Sequence, residues 1–356
     1  MERNNEMELL GMLQRPAFFV TDGRVSRVNA GAASYHITPG MEVSSLIATG
    51  AEEYAAFEGG CLYLTLSVND CNLGASITRL DGFDVFCLES QADSQELQSM
   101  TVIARKLRCP LETVMNTARE LFPVSGLEDA PAVREQVSAL NKGLMQILRV
   151  ISNMSDAGEN ARSVSNIETV NITAVVDEIF EKAATLVAHT NQTLTFQPLP
   201  ETIYCLADRS TLERAILNMV SNAVKFSKPG DVIRAALTRR GRMLYLTIAD
   251  NGSGIPDDIR GDIFTRYNRK CAFEDNRFGV GLGMVLIRAA AAVHGGAVLI
   301  DQPEGSGTRV TISFPIRQSS TQVRSGTIPV EYASGHDPVL MAFSDILPDY
   351  LYENEL

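Results

Sequence analysis

Apolar and polar positions change period twice along this chain. Through residues 1–90 they alternate in short runs. PAFFVTDGRVSRVN predicts two strands around an Asp22-Gly23 turn. CLYLTLSV, LGASITRL and FDVFCLE predict three more, turning at Asn69-Asp70 and Asp81-Gly82. Helical pieces are expected between the two sets. From 91 to 157 the period lengthens. Leu97, Met100, Ala104, Leu107, Leu111, Val114, Ala118 and Leu121 alternate spacings of three and four. Val133, Val137, Leu140, Leu144, Ile147, Ile151 and Met154 do the same, giving a heptad seam on each of two helices. FPVSGLEDAP joins them, with Gly126 in the turn and Pro131 near the second helix start. One hairpin cannot bury both stripes well, whereas two hairpins make a four-helix bundle. A homodimer through the hairpin is therefore expected, with an intramolecular bundle as the alternative.

A linker, SDAGENARSVSNIETVN, leads into residues 168–317. There the predicted strands and helices segregate into two layers, an α/β sandwich. Val170 to His189 reads as a strand and a helix, and Arg209 to Phe226 as a helix. VIRAALTRR and MLYLTIAD pair across a Gly241 turn, and VLIDQ and TRVTISFP close the sheet. The tail, 318–356, is polar and then mixed acidic-apolar, and is expected as a loose end rather than a docking peptide. The whole is an α+β multidomain chain.

Composition narrows the partners. A net charge of −12 argues against broad nucleic-acid or anionic-membrane binding, so an anionic ligand needs a local nest of donors. No stretch is apolar for long enough to span a bilayer. The start, MERNNEMELL, lacks the layout of a signal peptide. Cys61, Cys71, Cys87, Cys109, Cys205 and Cys271 form no CxxC pair and read as reduced thiols of a cytoplasmic protein. His36, His189, His294 and His336 show no metal-ligand spacing.

Four motifs carry chemistry. NMVSNAVKFS puts Asn218 and Asn222 four apart on one helix face, and an amide oxygen suits Mg²⁺ beside phosphates. In DNGSGIP, Asp250 ends a strand, and Gly252 and Gly254 let a base approach the backbone. A buried carboxylate accepts the amine of adenine; guanine would oppose it with a carbonyl. IFTRYNR holds Phe264, Tyr267 and Arg269. In FGVGLGMVLIRAAAAVHGG, Gly279, Gly281 and Gly283 lead into a helix whose free N–H groups suit phosphate. Gly307 and Thr308 precede the final strand.

In this order and spacing the motifs resemble the Bergerat-type ATP fold of histidine kinases, type II topoisomerases and mismatch-repair ATPases. The resemblance implies ATP and Mg²⁺ as ligands, with Asn222 on the metal and Lys225 on phosphate or ribose. It implies a lid anchored by Phe264 and Tyr267, and Arg269 meeting phosphate. Asn218 stands where the hydrolytic branches carry a glutamate that activates water. An amide cannot take that proton, so the likeness is to the kinase branch. The strand order of the first module resembles a PAS sensory domain.

Sensor histidine kinases carry a run similar to H-E-L-R-T-P-L in the first bundle helix. Here the corresponding run is Arg105-Lys106-Leu107-Arg108-Cys109-Pro110-Leu111. Arg105 replaces the histidine, Lys106 the acid and Cys109 the threonine. A guanidinium is no nucleophile at neutral pH, and Lys106 cannot serve as a carboxylate base. No histidine lies between residues 90 and 188 to take over. The expectation is a dimeric, cytoplasmic regulatory pseudokinase of two-component type, partnered by a response regulator or another kinase. The rivals are an active kinase acting on a partner's histidine or serine, and a binding protein with a vestigial nucleotide site.

Overall fold

The computed structural model describes residues 10, 13, 15–69, 71–80, 82–121, 131–159, 166–256, 263–264, 281–303, 306–317 and 336–353. The first module is an antiparallel sheet. Strands β1 (Ala17–Thr21) and β2 (Arg24–Val28) flank Asp22 and Gly23, both at positive φ, as a tight hairpin requires. Helix α1 (Ala30–Ala33), β3 (Ile47–Thr49) and α2 (Ala51–Ala55) precede β4 (Cys61–Val68), β5 (Cys71–Leu80) and β6 (Phe83–Leu88). The strands lie in the order β2-β1-β6-β5-β4, with β3 on β4. Phe18, Ile37, Phe57, Leu62, Leu64 and Phe86 fill the space between sheet and helices.

Helices α3 (Gln91–Leu121) and α4 (Pro131–Glu159) follow as one hairpin. Thr101 Oγ1 donates to the Ser155 carbonyl at 3.4 Å, and Arg108 Nη2 to Ser152 Oγ at 3.2 Å, so the start of α3 lies beside the end of α4. The heptad seams divide. Leu97, Ala104, Leu111 and Ala118, seven apart, are buried, as are Val137, Leu144 and Ile151. The intervening positions Leu107, Val114, Leu121, Leu140 and Ile147 are between 40% and 66% exposed. The hairpin thus buries one half of each seam and leaves the other half uncovered.

The third module contains β7 (Glu168–Asn171), α5 (Ile172–Val187), β8 (Thr193–Gln197), β9 (Tyr204–Ala207) and α6 (Arg209–Phe226). It continues with β10 (Val232–Arg240), β11 (Met243–Ala249), α7 (Gly283–His294), β12 (Val298–Asp301) and β13 (Arg309–Pro315). Its main sheet runs β12-β13-β11-β10-β8, and β7 pairs separately with β9. Only the β8–β10 pair is parallel among the described strands. The expected Arg209–Phe226 helix forms with those ends, because Asp208 Oδ1 accepts the Thr211 N–H at its N-terminus.

Periodicity gives no sign of how these modules meet. The edge strand β4 pairs antiparallel with the edge strand β12, Tyr63 opposite Val298, Leu62 opposite Leu299 and Cys61 opposite Ile300. The two sheets become one 11-stranded sheet. Each edge thereby satisfies backbone groups that would otherwise face solvent.

The tail is a correction to the sequence reading. Residues 336–353 are no loose end: they form α8 (Pro338–Ala342) and a closing turn laid across α4 and α6. Phe343, Leu347 and Tyr352 are buried, so apolar burial outweighs the cost of ordering the segment. Residues 318–335 lie outside the described residues.

His294, at the end of α7, links two elements of the third module. Its Nε2 accepts the Asp208 N–H at 3.0 Å, and its Nδ1–H donates to the Ala290 carbonyl at 2.7 Å. This arrangement requires a neutral ring, and burial holds its pKa below the ordinary 6.5. The unfolded chain then binds the extra proton in the window below 6.5. The stabilisation is present above that pH and lost as pH falls toward the lowered folded value. Urea unfolding of the parent and of His294→Gln checks this. Their stability gap should shrink on acidification below 6.5, and a constant gap would contradict the neutral ring.

Candidate functional site

A cavity of about 1550 Å³ opens between the third module and α4. Asn218, Asn222, Lys225, Asp250, Gly254, Gly281, Gly283 and Thr308 all line it, drawn from α6, the end of β11, the start of α7 and the start of β13. Gly252 and Phe264 are buried and are not part of its lining, and Tyr267, Arg269 and Gly279 lie outside the described residues.

Asp250 is built into the floor. Its Oδ1 accepts the N–H groups of Gly252 at 2.8 Å and Thr308 at 3.1 Å. Among the described residues both bonds fall on that oxygen, which leaves Oδ2 for a ligand amine. Burial pushes the carboxyl's pKa above the usual aspartate value, and the two N–H bonds partly oppose this. The turn needs its glycine: a Cβ on Gly252 would run into the Phe226 carbonyl. Ile248, Ile255, Ile263, Met284 and Val310 supply apolar wall beside Asp250, a surface suited to a purine ring.

The opposite end is polar. Asn218 Nδ2 donates to the Arg214 carbonyl at 2.8 Å, so that amide is committed to its own helix. Asn222 also lines the cavity, one turn further along the same helix. Helix α7 begins at Gly283 with no side chain capping it among the described residues, and the first N–H groups of such a helix suit an anion. Asn218 Oδ1 lies 3.2 Å from where a Gly283 Cβ would be, so α7 starts close against the Asn218 side chain of α6. No group of three or more His, Cys, Asp or Glu side chains is placed to hold a metal among the described residues. A single amide such as Asn222, with phosphates and water completing the shell, fits Mg²⁺ better than ions that need an all-protein cage.

Phe264 is buried with its ring centroid 5.6 Å from that of Tyr63 on β4. Its carbonyl accepts from Arg288 Nη1 at 2.6 Å, and the same guanidinium is 2.5 Å from Glu89 Oε1. Tyr63 donates to Glu89 Oε1 at 3.1 Å, and burial raises its pKa, keeping it protonated. The base of the expected lid is therefore tied to the first module. Sequence reasoning also missed the wall formed by α4 and the tail, which includes Leu140, Ile147, Arg149, Asp345 and Ile346. The alternate exposed seam position was the available signal for the α4 part.

Arg105, Lys106 and Cys109 sit exposed on α3, and Leu107, between them, borders the cavity. The 105–111 run thus reaches the edge of the cavity through Leu107. No helix among the described residues is long and apolar enough to cross a membrane.

Known proteins resemble parts of this chain. The family model described as histidine kinase-, DNA gyrase B- and HSP90-like ATPase matches residues 207–318. The signal transduction histidine-protein kinase/phosphatase MprB of Mycolicibacterium vanbaalenii is 28% identical over 244 residues, 65% of this chain and 49% of its own. Histidine protein kinase DivJ of Caulobacter vibrioides is 36% identical over 111 residues, 31% of this chain and 18% of its own. Histidine kinase P4 of Formosa agariphila is 24% identical over 239 residues, 65% of this chain and 17% of its own. The chain thus spans between 17% and 49% of the length of these relatives. The structure of full-length ShkA in complex with AMPPNP resembles it in fold, with a TM-score of 0.50 at 23% identity over 64% of this chain and 47% of that one. Motif geometry and relatives converge: the chain carries an ATP-binding catalytic domain of the sensor histidine kinase family.

Proposed function

We propose that this chain is a regulatory pseudokinase of two-component type, which binds Mg²⁺-ATP but forms no phosphohistidine on itself. What supports this most is Arg105 where the family resemblance puts the phosphoacceptor histidine, with Lys106 and Cys109 beside it. A cation there can hold a phosphate but cannot attack one. A working nucleotide site is supported by Asn222, Lys225, Asp250 and the Gly281–Gly283 entry to α7 all lining one cavity. In this reading Asn222 holds Mg²⁺, Lys225 meets phosphate, and Asp250 accepts the adenine amine. Residues 1–90 act as a PAS-like sensor, a reading supported by the order β2-β1-β6-β5-β4. Residues 91–157 form the dimer hairpin, supported by the uncovered half of each seam. Nucleotide and sensor state together set a shape that a response regulator or another kinase reads.

Three outcomes are expected. In calorimetry, the full chain binds Mg²⁺-ATP in preference to Mg²⁺-GTP. Asn222→Ala removes roughly 1.5–3 kcal/mol of the metal-dependent part, and Asp250→Asn erodes the adenine preference. No binding at millimolar ATP would favour a vestigial site. Incubated with γ-labelled ATP, the purified chain gains no acid-labile, base-stable phosphate; label on the chain would end the pseudokinase reading. Label appearing only on an added partner would make it a kinase acting in trans. In sedimentation the chain is a dimer, and Leu107→Glu with Leu140→Glu gives monomers, since charges in a desolvated seam are costly. An unchanged dimer in that double variant would place the interface elsewhere.

A further inference from the structure

The tail brings a carboxylate to the nucleotide cavity. Its anchors on α4 run the length of the segment. Asn141 Nδ2 donates to the Tyr352 carbonyl at 2.9 Å, Gln146 Nε2 to the Ser344 carbonyl at 3.1 Å, and Lys142 pairs with Asp349 at 2.7 Å. The path between these anchors sets Asp345 in the cavity wall.

Two cations converge on one oxygen there. Asp345 Oδ2 lies 2.6 Å from Arg149 Nη1 and 3.7 Å from Lys225 Nζ. Arg149 comes from α4, outside the ATP-binding module, and its Nη2 donates to Ser221 Oγ at 3.4 Å, next to Asn222. Arg149 Nη1 is buried, and despite the close ion pair it makes no aligned hydrogen bond among the described residues. A buried guanidinium donor left without an aligned acceptor is costly and marks a place where an anion belongs. A carboxylate oxygen satisfies the charge there but not the direction of the N–H. Phosphate, with more oxygens and more charge, can satisfy both.

We propose that Arg149 is a phosphate-binding residue of the nucleotide site, supplied by the hairpin, and that Asp345 holds its place until nucleotide phosphate displaces it. The proposal rests on the nucleotide reading above and adds a residue and a competitor to it. Adenosine lacks the group that Arg149 recognises, while ADP and ATP carry it. Phosphate takes Arg149 over from Asp345 and releases the stretch of tail around Asp345. Nucleotide state is thereby transmitted to the hairpin without any phosphotransfer.

Calorimetric titration of the full chain with Mg²⁺-ATP, Mg²⁺-ADP and adenosine tests this in Arg149→Gln, Arg149→Lys and Asp345→Asn. Arg149→Gln should bind ATP and ADP about tenfold more weakly, the range for losing a charge-assisted hydrogen bond, with adenosine unchanged. Arg149→Lys should restore part of that loss. Asp345→Asn should bind ATP several-fold more tightly, on the order of what one removed competing charge gives. Equal losses for adenosine and ATP in Arg149→Gln would assign Arg149 to folding alone and overturn the proposal. So would an Asp345→Asn chain whose ATP affinity is at or below the parent's. A parent chain that binds none of the three ligands would overturn the nucleotide reading, and this proposal with it; binding with the parent's affinities in all variants would overturn this proposal alone.

Discussion

Backbone pairing between Cys61–Tyr63 of β4 and Val298–Ile300 of β12 joins two sheets that belong to different modules. The consequences reach the nucleotide cavity. The pairing puts Tyr63 beside Phe264 and brings Glu89, just before α3, to Arg288 of α7. Arg288 in turn holds the Phe264 carbonyl. A sheet edge is a poor place to leave backbone groups, and here two edges cover one another. A change in the first module therefore has a packed route to the middle of α7 and to Phe264. Gly60, at φ +91°, marks how close this approach is: a Cβ there would meet the Ile300 carbonyl.

Helix α4 is the second shared element. One side packs on α3 through Leu144 and Ile151, another carries the tail, and a third borders the cavity with Leu140, Ile147 and Arg149. The ion pair between Arg214 of α6 and Asp156 of α4 fixes the ATP-binding module against the hairpin, with both side chains largely buried. Breaking one partner of such a pair strands the other charge in a largely buried place, which is costly. The cavity consequently has walls from two modules, and a ligand in it senses both.

The nucleotide floor was legible in the sequence because its chemistry is local. Asp250, Gly252 and Gly254 make their turn within five residues, and Asp208 caps α6 from the adjacent position. Element ends in the third module followed from the same turn and cap signals. Three features were not legible, each for a physical reason. The β4–β12 pairing joins segments more than 230 residues apart, and both strands read as ordinary sheet. Arg149 is one of several basic residues on α4, and which face it occupies depends on how the hairpin rotates in packing. The tail had a readable start, Asp337 before Pro338, where Asp337 Oδ1 accepts the Val339 N–H at 2.7 Å. Its acidic composition spoke for solvent, whereas Phe343, Leu347 and Tyr352 decided the outcome by burial.

The central claim is that an adenine nucleotide lies between the ATP-binding module and α4, base on Asp250 and phosphates toward Asn222 and Lys225. A crystal structure of the full chain with Mg²⁺ and a non-hydrolysable ATP analogue tests it most directly. The account predicts the adenine amine within hydrogen-bond distance of Asp250 Oδ2, a metal ion beside Asn222, and phosphate oxygens at Lys225. A cavity left empty at saturating analogue, or a base bound away from Asp250, would contradict it.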